Sequence, residues 1–234
     1  MFTTPAELYD AIYFTFKDYA AEGALIRERI RTLNPGARHI LDVACGTGEH
    51  ARLLATDGFE VDGIDINEDF LRLARTKHPR GQFVVADMVS FDLHRKYDVV
   101  LCMFSSIGYL TSLARVEEAL RGFRRHLAPG GIVLVEPWLE PGKMTSGIQS
   151  HRVAQTADLR VERTCTTSIE GELCHLRFDY VIERDGKTQT ISEEHKLGLY
   201  KKEEMLTAFS AAELRVQYQA ESPSNRGLYV ARCA

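Results

Sequence analysis

At 234 residues, 44% hydrophobic and 26% charged, the chain is long enough to bury a full core and has the composition of an ordinary globular protein. A formal net charge of −4 with no lysine or arginine run argues against a nucleic-acid partner, and no apolar stretch is long enough for a bilayer span. The 5 cysteines (Cys45, Cys102, Cys165, Cys174, Cys233) are scattered without zinc-site spacing and no basic-then-apolar leader is present, so a cytoplasmic protein with reduced thiols and no metal site is expected.

Residues 4–33 read as one helix, with Thr4 as N-cap, Pro5 in the first turn and Asn34-Pro35-Gly36 as the stop. Its aromatics, among them Tyr9, Tyr13, Phe16 and Tyr19, suit either core packing or an aromatic lid over a ligand crevice. His39–Ala44 is the first strand. It stops in the glycine turn Cys45-Gly46-Thr47-Gly48, and a helix follows from Glu49 to Thr56. Phe59–Ile66 is the second strand, Asn67 caps a helix running to Lys77, and Gln82–Asp87 is the third strand. Tyr97–Met103 is the fourth strand, a helix covers about 111–127, and Ile132–Glu136 follows the Ala128-Pro129-Gly130-Gly131 stop as the fifth. Continuous apolar strands alternating with helices predict an α/β, doubly wound, Rossmann-like parallel sheet.

From about 151 to 200 the pattern changes to longer, half-polar strands, with Arg184-Asp185-Gly186-Lys187 as a hairpin turn. This predicts an antiparallel β cover inserted after strand five. The expected organisation is residues 1–138 with 201–234 as the nucleoside-binding domain and 139–200 as the substrate cover. Glu203–Ala212 returns to helix, and Leu214–Gln219 and Leu228–Cys233 close the chain as strands.

Gly46-Thr47-Gly48-Glu49-His50-Ala51 fits the dinucleotide fingerprint, and Asp65 stands where an acid holds ribose hydroxyls, so a nicotinamide cofactor is admissible on those features alone. Two acids tilt the choice toward S-adenosylmethionine. Asp42, inside strand one, suits the ammonium of an amino-acid moiety. Asp87, followed by Met88, suits an adenine amine with an apolar residue against the ring. The ligand has an ammonium, a ribose diol and an adenine amine, and no pyrophosphate.

Leu41-Asp42-Val43-Ala44-Cys45-Gly46-Thr47-Gly48, Ala86-Asp87-Met88, Met103-Phe104-Ser105-Ser106-Ile107-Gly108, Glu136-Pro137-Trp138 and Ser224-Asn225-Arg226-Gly227-Leu228 together resemble class I S-adenosylmethionine-dependent methyltransferases. The likeness is to the sugar N,N-dimethyltransferases of desosamine and mycaminose formation. It implies a seven-stranded sheet with a last antiparallel strand, N-methylation of a nucleotide-linked amino sugar, S-adenosylhomocysteine as product, and leaves a homodimer open. It also implies roles. Tyr9, Tyr19, Asp42, Ala44, Gly46, Gly48, His50, Asp65, Ile66, Asp87, Met88 and Met103 would hold the cofactor. Tyr19, Ser106, Tyr109, Trp138, His195 and Arg226 would face the acceptor, with Arg226 and Ser106 on its phosphates. Tyr109, Tyr19 and Glu136 are the candidates for handling the amine, and His50 and His195 stand in reach of the crevice as alternative proton acceptors. The resemblance puts a histidine where Tyr109 stands, and a phenol is a poor base at neutral pH. Another small amine or hydroxyl compound therefore remains an alternative acceptor, and a nicotinamide oxidoreductase or a non-catalytic nucleoside binder are the alternatives of other classes.

Overall fold

The computed structural model describes residues 5–222 and 226–234. The chain runs through α1 (Ala6–Tyr13), α2 (Tyr19–Leu33), β1 (His39–Val43), α3 (Glu49–Thr56), β2 (Glu60–Asp65), α4 (Glu68–Lys77), β3 (Phe83–Val85) and β4 (Tyr97–Cys102). A 3-10 turn (Ser106–Tyr109), α5 (Leu113–His126) and β5 (Leu127–Val135) follow. Then come β6 (Gln149–Gln155), β7 (Leu159–Glu170), β8 (Leu173–Arg184), β9 (Lys187–Gly198), α6 (Lys202–Ala211), β10 (Leu214–Gln219) and β11 (Leu228–Cys233).

Seven strands form one sheet in the order β10-β11-β5-β4-β1-β2-β3, and β6-β7-β8-β9 form a separate sheet. β1 pairs in parallel with both β2 and β4, while β11 is antiparallel to β5 and β10. The winding therefore reverses between β1 and β4. In such sheets the crevice outside the carboxyl ends at that switch point is where ligands sit. The sheet is buried on both faces, as the unbroken apolar runs of β1, β4 and β5 require: Ile40, Leu41, Val99, Val100, Val133 and Leu134 are all 0% exposed.

Several boundaries differ from the sequence reading. The expected helix over 4–33 is two helices, because Asp18 caps a fresh start: its Oδ1 accepts from Ala21 N–H at 2.9 Å. Thr4 lies outside the described residues, and Pro5 takes the N-cap position itself. β2 and β3 are shorter than expected, which leaves Ile66 and Asp87 just beyond their strands. The Ala128–Gly131 stop lies inside β5, where the register against β4 slips between Tyr97 and Val99 and the extra residues bulge out. The cover has a fourth strand, β6, an exposed edge with little apolar signal. Its predicted hairpin is present: Arg184 pairs with Lys187 across Asp185 (φ 52°) and Gly186 (φ 71°), the left-handed pair that a two-residue turn of this hand needs.

The helix α1 is the seam between the two sheets. Leu8 and Ile12, one turn apart, pack into an apolar cluster with Val161, Phe178 and Ile182 of the cover. On its other side Asp10 accepts from the Thr47 hydroxyl at 2.6 Å and pairs with Lys77 at 2.7 Å, tying α1 to the glycine turn and to α4. The break at residues 14–18 lets α1 leave α2 and reach the cover. Asp18→Ala should lower stability by about 1 kcal/mol, the usual worth of a cap. A shifted urea midpoint with unchanged m-value checks this, and no shift would mean that the cap bond contributes nothing.

Candidate functional site

The recess opens at the switch point. After β1 the backbone turns through Ala44 (φ 55°), Gly46 (φ 56°) and Gly48 (φ 75°), and after β4 through Phe104 (φ 53°) and Ser105 (φ 64°). Non-glycine residues held in the left-handed region are uncommon, and two such turns side by side mark a site whose shape the scaffold enforces. Tyr9, Tyr19, Asp42, Ala44, Gly46, His50, Met103 and Ser106, all predicted from the sequence, line this one recess together.

Asp42 is its floor. The residue is 2% exposed, and its Oδ2 has no hydrogen-bond partner among the described residues. Burial lifts its carboxyl from 3.8 to about 7, against a smaller downward pull from His50. A buried, unpartnered carboxylate oxygen is costly to keep. It fits an ammonium group, the chemistry that the amino-acid part of S-adenosylmethionine would bring.

Asp65 also does structural work that the sequence reading did not assign. Its Oδ2 accepts from Gly46 N–H and its Oδ1 from Asn67 N–H, each at 2.9 Å, so it clamps the glycine turn to the end of β2. Burial raises its carboxyl, and these backbone bonds pull it back down. The lone-pair positions that these backbone bonds and the one from Ile66 leave can take a hydroxyl.

The roof comes from α1 and α2. Tyr9 stacks on Tyr13 with ring centres 4.1 Å apart, and Tyr19 meets the His50 ring edge-on at 5.5 Å. His50 Nε2 is 3.0 Å from Glu22 Oε2, and Lys17 Nζ is 2.6 Å from the same oxygen. Burial pushes Glu22 up, but the bonds from His50 and Lys17 outweigh it and hold its carboxyl below the usual value. Lys17 is nearly enclosed, with its side chain 4% exposed, and burial lowers it despite Glu22. Burial raises the phenols of Tyr9 and Tyr19.

Glu136 and Ser105 build the wall after β4. Glu136 Oε2 accepts from Phe104 N–H at 2.8 Å, which gives this buried acid the task of holding the left-handed turn. Ser105 donates to Pro137 O at 2.6 Å and accepts from Arg226 Nη1 at 2.9 Å. Arg226 and Ser106 were both expected on the acceptor's phosphates; Arg226 bonds Ser105, and Ser106 bonds back to Met103 O at 3.0 Å. The Arg226 guanidinium lies 4.6 Å over the Trp138 ring and 5.6 Å from that of Phe104, and Lys17 Nζ sits 3.4 Å from the centre of the same Phe104 ring. Burial lowers the Arg226 guanidinium. Ser224 and Asn225 of its motif lie outside the described residues.

Tyr109 and His195 meet across the sheets: the hydroxyl is 2.8 Å from Nδ1. The predicted cofactor residues Gly48, Asp87, Met88 and Ile66 lie outside the lining named above. Gly48 does not line the recess; a Cβ there would come within 2.7 Å of Ala74 Cβ, so glycine is needed for α3 to start against α4. Asp87 is paired with Arg115 at 3.3 Å, and Met88 packs partly into the core beneath α5. Ile66 is 49% exposed at the rim. Sequence reasoning missed Lys17, Glu22 and Ser105. Lys17 lies in the helix break that it did not see, Glu22 in the first turn after it, and Ser105 adjoins the serine that it chose.

Among proteins of known kind, a family model described as a methyltransferase domain matches residues 40–131. The chain is 38% identical over 226 residues to the dTDP-3-amino-3,6-dideoxy-alpha-D-glucopyranose N,N-dimethyltransferase of Streptomyces fradiae, covering 96% of this chain and 89% of that one. It is 37% identical over 227 residues to the dTDP-3-amino-3,4,6-trideoxy-alpha-D-glucopyranose N,N-dimethyltransferase of Streptomyces venezuelae, covering 96% of each. The chain belongs to the sugar N,N-dimethyltransferase family of class I S-adenosylmethionine-dependent methyltransferases. The crystal structure of Streptomyces venezuelae DesVI matches the whole of both chains at a TM-score of 0.92 and 37% identity. An amino pentose methyltransferase of Micromonospora echinaspora, solved with S-adenosylmethionine bound, matches at 0.85 and 29% identity over 99% of this chain and 97% of that one. No helix among the described residues is long and apolar enough to cross a membrane.

The raised Asp42 value sets a pH dependence. Because the folded value lies above the ordinary one, the free protein keeps a proton there that the unfolded chain loses. That contribution is complete below about pH 4 and is lost as pH rises through about 7. The rise from 3.8 to about 7 corresponds to at most about 4 kcal/mol. Asp42→Asn should therefore stabilise the ligand-free protein at pH 8, by no more than about 4 kcal/mol, while weakening S-adenosylmethionine about tenfold or more. Urea titration and calorimetry read the two effects, and unchanged affinity would detach this carboxylate from the ligand.

Proposed function

We propose that this protein methylates the amino group of a nucleotide-linked amino sugar. The observation that carries the acceptor is the pair of cations, the enclosed Lys17 side chain and the half-buried Arg226, that share the Phe104 ring beside the nucleoside recess. Two partly desolvated cations next to a methyl-transfer site suit a diphosphate, and a planar guanidinium can take it in a bidentate grip. The names of the relatives that match along the whole chain support the same acceptor class. In this reading residues 1–138 and 201–234 hold the cofactor, 139–200 cover the acceptor, and the five free cysteines fit a cytoplasmic enzyme.

S-adenosylmethionine, when bound, supplies a methyl group already activated on a sulfonium and leaves as S-adenosylhomocysteine. The protein's work is then alignment and exclusion of water. Asp42 takes the ammonium of the amino-acid part, and the Ala44–Gly46 backbone lets it approach. Asp65 offers its free lone pairs to the ribose. Asp87, released from Arg115, would accept from the adenine amine, with Ile66 and Met88 as the nearby apolar residues. Tyr9, Tyr19 and His50 form the roof, and Met103, which lines the same recess, would stand beside the sulfonium. Arg226, steadied by Ser105 and stacked on Trp138, holds the phosphates. Tyr109 lies toward the amine.

Incubation with S-adenosylmethionine and a dTDP-linked 3-amino sugar should add one and then two methyl groups, read by mass spectrometry. No transfer to this sugar, with transfer to another small amine, would replace the acceptor. NADH binding without S-adenosylmethionine binding would replace the cofactor. Arg226→Ala should raise the acceptor KM roughly 10–100-fold, the worth of a charge-assisted contact, with cofactor affinity nearly unchanged. An unchanged acceptor KM in steady-state kinetics would mean that no phosphate binds there.

A further inference from the structure

The acceptor side holds a buried histidine that the alignment roles above leave unused. His195, on β9, is 0% exposed. Its Nδ1 is 2.8 Å from the Tyr109 hydroxyl, and its Nε2 is 3.4 Å from Oε1 of Glu193, an electrostatic contact longer than a good hydrogen bond. Glu193 Oε1 in turn accepts from the Tyr180 hydroxyl at 2.7 Å. Phe178 and Tyr109 meet the imidazole edge-on, with ring centres 5.0 and 5.7 Å away, and fix its plane. With the Glu193 oxygen facing Nε2, that nitrogen carries the hydrogen and Nδ1 accepts from the phenol. This is the order nucleophile-side hydroxyl, imidazole, carboxylate, each orienting the one before it.

Tyr109 connects this row to the site. It closes the same 3-10 turn that carries Ser106 into the recess, and its phenol is an electrostatic neighbour of Tyr9 and Tyr13 on α1. The amine acceptor poses the problem that such a row solves. A primary or secondary alkylamine at neutral pH is mostly ammonium, and without a lone pair it cannot attack a methyl group.

We propose that Tyr109, His195 and Glu193 form a proton relay that deprotonates the acceptor's ammonium before methyl transfer. The proposal rests on the amine-acceptor reading above. One ammonium N–H bond breaks, and its electron pair stays on nitrogen as the lone pair that attacks. The released proton bonds to the Tyr109 oxygen as the phenol's own proton passes to Nδ1 of His195. The positive charge ends on an imidazolium beside the Glu193 carboxylate, and the reverse path returns the proton to solvent once product leaves. A second methylation uses the same path.

Burial raises the Tyr109 phenol well above its ordinary value, with Tyr13, Glu193, Tyr180 and Asp65 opposing a phenolate. Tyr109 thus conducts a proton and does not store one. Several groups face the imidazole's surroundings: Glu193 from its own strand, Tyr180 from β8, Tyr9 and Tyr13 from α1, Asp65 from the end of β2, and Arg163 from β7. The Arg163 guanidinium lies 4.8 Å from the Phe178 ring and 5.0 Å from that of Tyr13. Its charge opposes an imidazolium, and the Glu193 carboxylate is placed to offset it. In this scheme Tyr109 is the catalytic residue, and His195 and Glu193 are positioning residues that act through it.

The test uses the full-length enzyme with Tyr109→Phe, His195→Gln and Glu193→Gln. In the unmodified enzyme kcat should hold up at neutral pH. In Tyr109→Phe and His195→Gln it should fall roughly 10–100-fold at pH 7 and recover toward pH 9, where the amine loses its proton unaided, with acceptor KM and cofactor Kd nearly unchanged. Glu193→Gln should shift the acid limb in the same direction by a smaller amount. Without turnover, isotope-labelled histidine gives a second readout. With S-adenosylhomocysteine present, acceptor binding should move the His195 ring nitrogens toward imidazolium positions in the unmodified protein and leave them in place in Tyr109→Phe. Variants that keep the unmodified pH profile, or lose activity equally at every pH, overturn the relay. Failure of the unmodified enzyme to methylate any amine overturns the functional reading, and the relay with it.

Discussion

The site depends on how sharply the chain reverses after β1. Ala44, Gly46 and Gly48 are all left-handed, and α3 begins so close to α4 that a Cβ on Gly48 would meet both the Cα and the Cβ of Ala74. Only glycine satisfies both the conformation and the spacing there. The tight turn brings the Gly46 N–H onto Asp65 and the Thr47 hydroxyl onto Asp10. One loop thereby sets the end of β2, the seat of α1 and the opening above Asp42. Because α1 also carries the apolar contact with the cover sheet, the position of that sheet over the crevice follows from the same turn.

Around this turn the protein keeps an unusual density of buried charge. Asp42 and Glu136 are buried and Lys17, Glu22 and Arg226 largely enclosed, and each meets desolvation in its own way. Lys17 and Glu22 pair with one another, Glu136 holds a backbone N–H, and Arg226 stacks on rings. Asp42 keeps an oxygen without a partner. Where a scaffold holds polar groups in place before the ligand arrives, binding requires little reorganisation, and the ligand's own charges supply the missing partners. The structure thus stores part of its recognition energy as imperfect satisfaction of its own interior.

Much of the frame was legible in the sequence because it depends on local pattern. Apolar strand runs, the Asn67 cap and the Asp185-Gly186 turn all act over a few residues, and each stands where expected. The break before Asp18 was hidden because helical periodicity continues through it, and a capping side chain outweighed propensity. The site residues from β1, β2 and β4 were readable because strand ends at a switch point converge whatever the details. Contacts made across the fold were not. Arg226 and Ser105 are 121 residues apart, and Tyr109 and His195 are 86 apart. Tyr109 read as a departure that left other small amine or hydroxyl acceptors open because nothing local shows that β9 lays a histidine against it.

The central claim is that the crevice between β1 and β4 is the cofactor site and that its far wall receives a diphosphate. A crystal structure with S-adenosylhomocysteine and thymidine diphosphate tests it most directly. The amino-acid part should lie over Ala44–Gly46 against Asp42, the ribose at Asp65, and the diphosphate between Lys17 and Arg226 under the cover sheet. A nucleoside seated elsewhere, such as the basic groove of Arg95, Lys96 and Arg125 at the opposite end of the strands, would contradict it.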